Sequence, residues 1–328
     1  MSLRNWLPEG MEEWLPPASW KLEELRRDLL DLYRDRGYGL ILPPLLEHLD
    51  ALMSGSGSAL EEQTFKLVDP ASGRLLGLRA DMTPQAAHIA ARRYADQKVV
   101  RLCYLGTVLR ARADAIGGAR SPRQVGCELF GEADVSADLE ILDLMLETLS
   151  SAGVRDAHLD LGHVGIYRAI ASGLNLSADD EDALFEILQR KSAPDLEQFA
   201  GTKKLAAAAV KKLALLMELN GDVTVLKRAR AELKSAGAAV QRCLDVLERA
   251  SGELGRKRPH LPVHIDLAEL RGYRYQTGMV FAAFAPGHGR ELARGGRYEA
   301  ESGANGRTRP ATGFSADLNE LLRLGSER

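Results

Sequence analysis

The chain has 328 residues, 45% hydrophobic and 27% charged, the make-up of a soluble globular protein with one large domain or two ordinary ones. Lys plus Arg (43) nearly balances Asp plus Glu (46), for a formal net charge of -3, so the basic excess expected of a nucleic-acid binder is missing. Cys103, Cys127 and Cys243 lie far apart with no C-x-x-C pair, which argues against a zinc site or a disulfide framework and fits a reducing cytoplasm. Met1 to Gly10 has no apolar core of a secretory signal, and no apolar run of about 18 residues predicts a membrane span.

Residues 1–18, with Pro8, Pro16 and Pro17, read as an irregular arm. Ser19 is placed to cap a helix over 20–36, where Leu22, Leu25, Leu29 and Leu32 recur at helical spacing until Gly37. Tyr38 to Leu42 suits a short strand stopped by Pro43-Pro44. Thr64 to Val68 and Arg74 to Leu78 flank a turn and predict a hairpin. Thr83-Pro84 opens a helix, with Thr as cap and Pro at the first position. Val99 to Leu105 and Gln124 to Phe130 are strand candidates around a Gly- and Arg-rich loop. Ser136 caps a helix to about Ser151, and His158 to Leu161 is another strand.

From about 165 to 258 the pattern turns helical. Leu184, Ile187 and Leu188 share one face; Lys203 to Leu219, Val225 to Ser235 and Ala238 to Ala250 follow as helices, and Gly252 to Pro259 reads as a polar linker. Strand patterns return at Val263 to Asp266, Tyr275 to Ala285 and Arg290 to Ala293, with a last helix near 315–324. Strands, a helical block, then strands again predict an α+β fold: an antiparallel sheet flanked by helices, its core at 1–165 and 260–328, with a helical insertion at 166–259. The absence of regular β-α-β alternation argues against a doubly wound parallel sheet.

Four segments carry chemistry-bearing residues. In Leu78-Arg79-Ala80-Asp81-Met82-Thr83-Pro84, a carboxylate and a hydroxyl meet at a helix start; capping is the plainer reading and an ammonium site the sharper one. In Gln124 to Gly131, Gln124, Gly126, Glu128 and Phe130 share one strand face, either a pocket floor with open space at the glycine or a solvated sheet surface. Leu270 to Phe281 frames tyrosines and arginines with glycines, as a turn into a strand or as a wall for a flat polar ligand. Arg294-Gly295-Gly296-Arg297-Tyr298 reads as a turn or as a backbone cradle for an anion. No pair of acidic residues precedes a short Gly/Thr-rich ribose-phosphate loop.

Together, and with Arg309-Pro-Ala-Thr-Gly-Phe-Ser-Ala-Asp-Leu-Asn-Glu-Leu321, these segments resemble the catalytic core of histidyl-tRNA synthetase, a class II aminoacyl-tRNA synthetase. The resemblance implies that Asp81, Thr83 and Gln124 hold the α-ammonium of histidine and that Glu128 reaches its imidazole. It puts Arg110 and Arg271 near the carboxylate end, with Tyr275 and Gln276 where that family has adjacent tyrosines. Several positions depart from it. The ATP-gripping loop reads Arg110-Ala111-Arg112-Ala113, the family's Asp is Arg274, and its final ATP-clamping arginine is Glu320. Like charges near 4 Å repel by about 1 to 4 kcal/mol, depending on the effective dielectric, so a glutamate facing a triphosphate works against ATP. The family's C-terminal anticodon-binding domain is not expected here.

This combination resembles the regulatory subunits of ATP phosphoribosyltransferase, paralogues of that synthetase. The resemblance implies a non-catalytic, cytoplasmic subunit of the first step of histidine biosynthesis, with no cofactor, no metal and no tRNA or membrane partner. It implies a homodimer within a hetero-oligomer with the short-form catalytic subunit, and histidine as feedback effector. An active histidine-activating enzyme is the alternative, and a structural partner with an unused pocket is a third reading.

Overall fold

The computed structural model describes residues 6–54, 58–113, 118–270, 272, 275–302 and 307–326. After the arm, α1 (Ala18–Asp35) buries Leu22, Leu25, Leu29 and Tyr33 along one face, as their helical spacing dictates. It begins before Ser19, with Pro17 in the cap position and no side-chain cap. Gly37, at φ 80°, turns the chain out of the helix in a region that side chains rarely adopt. There follow β1 (Gly39–Leu40), β2 (Leu46–His48), α2 (Leu49–Met53), α3 (Ser58–Gln63), β3 (Phe65–Val68), β4 (Leu75–Leu78), α4 (Thr83–Arg93), β5 (Val100–Thr107), β6 (Arg123–Phe130) and α5 (Val135–Ser151). The middle of the chain forms β7 (His158–His163), α6 (Val164–Ala171), α7 (Ala178–Gln189), α8 (Ala193–Lys203), α9 (Ala207–Glu218), β8 (Asn220–Gly221), α10 (Val225–Glu232) and α11 (Ala238–Lys257). It closes with β9 (Val263–Asp266), β10 (Gln276–Phe284), β11 (Ala293–Ser302), β12 (Arg307–Asp317) and α12 (Leu318–Ser326).

The chain divides into two compact units. The first comprises Met1–Ala133, Asp143–Arg155 and Glu299–Arg328; the second comprises Asp134–Leu142 and Asp156–Tyr298. In the first, β5, β6 and β12 form an antiparallel set with β6 in the middle, and β1 joins β5 in parallel. The predicted hairpin forms, and β2 extends it to a three-stranded antiparallel sheet ordered β2-β4-β3. Cys103, Val125, Cys127, Leu129 and Phe314 lie in the core, where Tyr33 of α1 meets the Phe314 ring edge-on and α12 packs against α1 and β6.

In the second unit β7 pairs antiparallel with β10 and parallel with β9, while β8 and β11 pair antiparallel with β9 and β10. The helices α6 to α11 bury Leu184, Leu188, Leu213, Leu216, Leu244 and Leu247. The Gly-Gly pair reads here as plain strand: Gly295 and Gly296 face Phe281 and Val280 across the ladder, and Arg297 holds the buried Asp138 at 2.9 Å. The anion-cradle reading of that segment therefore gives way to a structural ion pair.

Several expected boundaries shift, each for a local reason. Asp134 caps α5 through the Ser136 N–H at 2.8 Å, so Ser136 is inside the helix and not its cap. Lys203 ends a helix instead of starting one, because Lys204 adopts the left-handed conformation at φ 53°. The polar stretch after Ala250 stays helical to Lys257, since its charged residues line the solvent face of α11. Residues 315–317 continue β12 as strand, so the last helix begins at Leu318.

The fully buried Tyr33 hydroxyl lies 2.9 Å from Thr148 Oγ1. Thr148 spends its own proton on the Leu144 carbonyl at 2.8 Å, so Tyr33 is the donor. Tyr33→Phe should therefore lower stability by about 1 kcal/mol, read as a shift of the urea midpoint with an unchanged slope.

Candidate functional site

The site grows from one face of the β5-β6-β12 set. Strand pairing places Leu102, Glu128 and Gly313 in one row, Tyr104, Gly126 and Ser315 in the next, and Gly106, Gln124 and Asp317 in the third. Side chains of paired residues share a face, so these nine form one floor. Each row holds a glycine, and each glycine makes room for a polar side chain. A Cβ on Gly313 would overlap the Glu128 carboxylate. One on Gly126 would lie 2.5 Å from the Tyr104 hydroxyl, and one on Gly106 would lie 2.6 Å from the Arg79 guanidinium. The open space expected at Gly126 is thus filled by Tyr104.

The start of α4 lies over the β5 side of this floor. Asp81 Oδ1 accepts the Thr83 N–H and the Gln124 Nε2–H, both at 2.8 Å, while the Met82 N–H donates to Gln124 Oε1 at 2.8 Å. Asp81, not Thr83, is therefore the side-chain cap of α4, and its carboxylate also orients Gln124. That frees the Thr83 hydroxyl, which reaches Glu128 Oε1 at 2.9 Å and the Tyr104 hydroxyl at 2.9 Å. Tyr104 reaches the same Glu128 oxygen at 3.1 Å. Two hydroxyl protons serve three oxygens, so at most two of these contacts are hydrogen bonds at once. Burial first, then the nearby Glu128 and Asp81 charges, raises the Tyr104 phenol well above its ordinary value and keeps it protonated.

Of the expected site residues, Asp81, Thr83, Gln124 and Glu128 come together within direct hydrogen-bonding reach. Gln124 and Glu128 are buried, while Asp81 and Thr83 are half-buried. Arg110 is half-buried and close enough to Asp317 to influence its charge. Tyr275 and Gln276 belong to the second unit, where Tyr275 stacks on Tyr298 with ring centroids 4.7 Å apart and Gln276 pairs with Tyr298 across the ladder. Arg271 lies outside the described residues, as do Tyr273 and Arg274. Among the described residues no group of three or more His, Cys, Asp or Glu side chains is arranged to hold a metal ion.

Sequence reading missed Tyr104, Ser315 and Asp317. The signal for Tyr104 was its place in an apolar strand opposite Gly126, visible only once the register is known. Ser315 and Asp317 were hidden by the early helix boundary. Glu320, flagged as a reversed ATP clamp, accepts from Arg323 at 2.7 Å. Arg323 also pairs with Glu12 of the arm and lies 5.2 Å from the centre of the Trp14 ring. Arg123 covers the same ring at 6.0 Å and donates to Asn319 Oδ1 at 3.0 Å.

A family model described as Histidyl-tRNA synthetase matches residues 10–321. A protein of Thioalkalivibrio sulfidiphilus (strain HL-EbGR7), named ATP phosphoribosyltransferase regulatory subunit, is 51% identical over 321 residues, 98% of this chain and 81% of that one. A protein of the same name from Methylococcus capsulatus is 52% identical over 97% of this chain and 78% of its own length. The chain belongs to the ATP phosphoribosyltransferase regulatory subunit family. Among solved structures, one described as an ATP phosphoribosyltransferase regulatory subunit/histidyl-tRNA synthetase from Bacillus halodurans C superposes with a TM-score of 0.82 at 26% identity, covering 98% of this chain and 84% of that one. The class II synthetase-like α+β fold expected of this regulatory-subunit family member is the fold observed.

Burial, with Glu320 nearby, pushes the Asp317 carboxyl up to about 6, against the backbone N–H groups of Asn319 and Arg123 and the Arg110 charge, which hold it down. An acid with a raised folded value holds its proton more tightly when folded, so stability is lost as pH rises from near 4 through 6. Asp317→Asn should thus melt higher than the parent at pH 7.5, and the gap should close at pH 4; thermal melts at the two pH values check this.

Proposed function

We propose that the pocket over Glu128 binds histidine, and that this chain thereby acts as the non-catalytic regulatory subunit through which histidine inhibits ATP phosphoribosyltransferase. The observation that carries the reading is a buried carboxylate, Glu128, held by two hydroxyls beside an Asp81–Gln124 pair. Such a floor offers acceptors for N–H donors: Asp81, Thr83 and Gln124 for the α-ammonium, Glu128 for an imidazole N–H. Arg110, and Arg271 from the segment beyond the described residues, would serve the carboxylate end. The resemblance assigns Tyr275 and Gln276 of the second unit to the same ligand.

The nucleotide end supports a chain without activating chemistry of its own. Glu320 and Arg323 satisfy each other, and Arg323 is further engaged by Glu12 and Trp14. We therefore expect no histidine-dependent ATP–pyrophosphate exchange. The helical stretch 166–259 is read as an insertion in the synthetase-like core. The partner is the short-form catalytic subunit, whose activity would require this chain; the named relatives are regulatory subunits of that enzyme.

A homodimer within the hetero-oligomer is supported by exposed apolar side chains in the first unit. Leu40, Leu42, Leu45 and Leu46 follow one another, and Leu67, Val68 and Leu75 lie on the small sheet. Apolar side chains left exposed in this number mark a contact surface, and an isologous pairing would cover both copies at once. Leu42→Arg should convert the dimer to a monomer in sedimentation experiments at micromolar concentration.

Feedback needs different histidine affinities in two assembly states. Glu128→Ala and Asp81→Ala should each weaken histidine binding by roughly tenfold or more, since charge-assisted hydrogen bonds are worth about 1.5–3 kcal/mol. The assembled enzyme carrying Glu128→Ala should lose inhibition by histidine while still forming the complex. Equal inhibition with and without the substitution would place the effector site elsewhere.

A further inference from the structure

On the floor described above, two side chains remain without a role: Ser315 and Asp317. Both are half-buried, so the β12 side of the floor is reachable from solvent. Asp317 stands directly opposite Gln124 in the ladder, on the same face. The Arg79–Met82 segment lies over Gly106, on the other side of Gln124. Gln124 is therefore flanked by two carboxylates, Asp81 from the α4 start and Asp317 from β12.

We propose that Asp317 is a further ligand-contacting residue of this pocket, a second carboxylate that receives the ligand's ammonium group across Gln124 from Asp81. The proposal rests on the reading of the pocket as an amino-acid site and names one more of its contacts. The charges around Asp317 favour it. Asp317 forms no ion pair among the described residues; Arg110 is the cation that acts on it at longer range, and Glu320 adds a like charge. Its carboxylate accepts the Asn319 N–H at 3.0 Å and is also held by the Arg123 N–H; two oxygens with about four acceptor sites leave capacity for a ligand donor. Burial raises its carboxyl, the behaviour of an acid short of a cation. An ammonium arriving beside it would supply that cation.

The plain alternative is that Asp317 only caps α12, which starts at the next residue. Capping needs one oxygen and no charge, and asparagine does it equally well. Asp317→Asn therefore keeps the cap and removes the charge.

The test is calorimetric titration of the full chain with L-histidine and with N-acetyl-L-histidine, whose ammonium is blocked, using the parent, Asp317→Asn and Glu128→Ala. The expected result is that Asp317→Asn weakens L-histidine about tenfold or more while N-acetyl-L-histidine changes by less than about twofold. If Asp317→Asn leaves L-histidine affinity unchanged while Glu128→Ala weakens it, Asp317 is a cap and the proposal is overturned with the pocket intact. Equal weakening of both ligands by Asp317→Asn overturns the assignment to the ammonium. If neither substitution changes L-histidine binding, or the parent does not bind it, the pocket reading and this proposal fall together.

Discussion

A carboxylate buried in a strand sets the terms for much of the first unit. Glu128 is 1% exposed, and a charge or a lone acid in that position is costly unless its oxygens are hydrogen-bonded. The fold meets this from two directions. Tyr104 comes from the neighbouring strand and Thr83 from the first residue of α4, so the strand register and the helix position are both tied to one oxygen. Gly313 then has to lack a side chain, because any Cβ there would collide with the carboxylate, and Gly126 has to lack one to admit the tyrosine hydroxyl.

The two ends of this unit handle charge in opposite ways. Around Glu128 and Asp317 acids outnumber cations, which suits a ligand that brings positive N–H groups. Around α12 and the arm the charges already cancel: Glu12, Glu320, Arg123 and Arg323 surround Trp14 and Asn319 with their partners in hand. In the second unit Arg297 neutralises Asp138, and the helices pack on leucine rows.

Much of the architecture was legible from local pattern. The buried face of α1 follows from leucines at helical spacing, and the β3–β4 hairpin follows from its Asp-Pro-Ala-Ser-Gly turn, where Asp69 accepts the Ala71 N–H at 3.0 Å. Residues such as Asp81 and Glu128 stood out because an acid in a strand or at a helix start asks for an explanation. Boundaries failed where two local preferences competed. The 315–317 stretch carries Ser and Asp, both good helix starters, yet continues as strand because β6 offers it a full ladder of partners. The polar end of α11 looked like a linker because charge alone does not distinguish a solvated helix face from a loop.

The sequence by itself determined the α+β class, the helical block, the family resemblance and four of the polar residues that the fold brings together on the β5-β6-β12 floor, because these depend on residue type, spacing and local turn chemistry. Only the tertiary structure decided which strand lies beside which, and with it the contents of the floor. Tyr104 and Asp317 lie far along the chain from Glu128 and Gln124, the residues they respectively reach and pair with through antiparallel register, and a one-residue slip would have turned either to the opposite face. The same holds for the three glycines: in the sequence each is a small residue in a strand, and only the side chain packed over it shows why nothing larger fits.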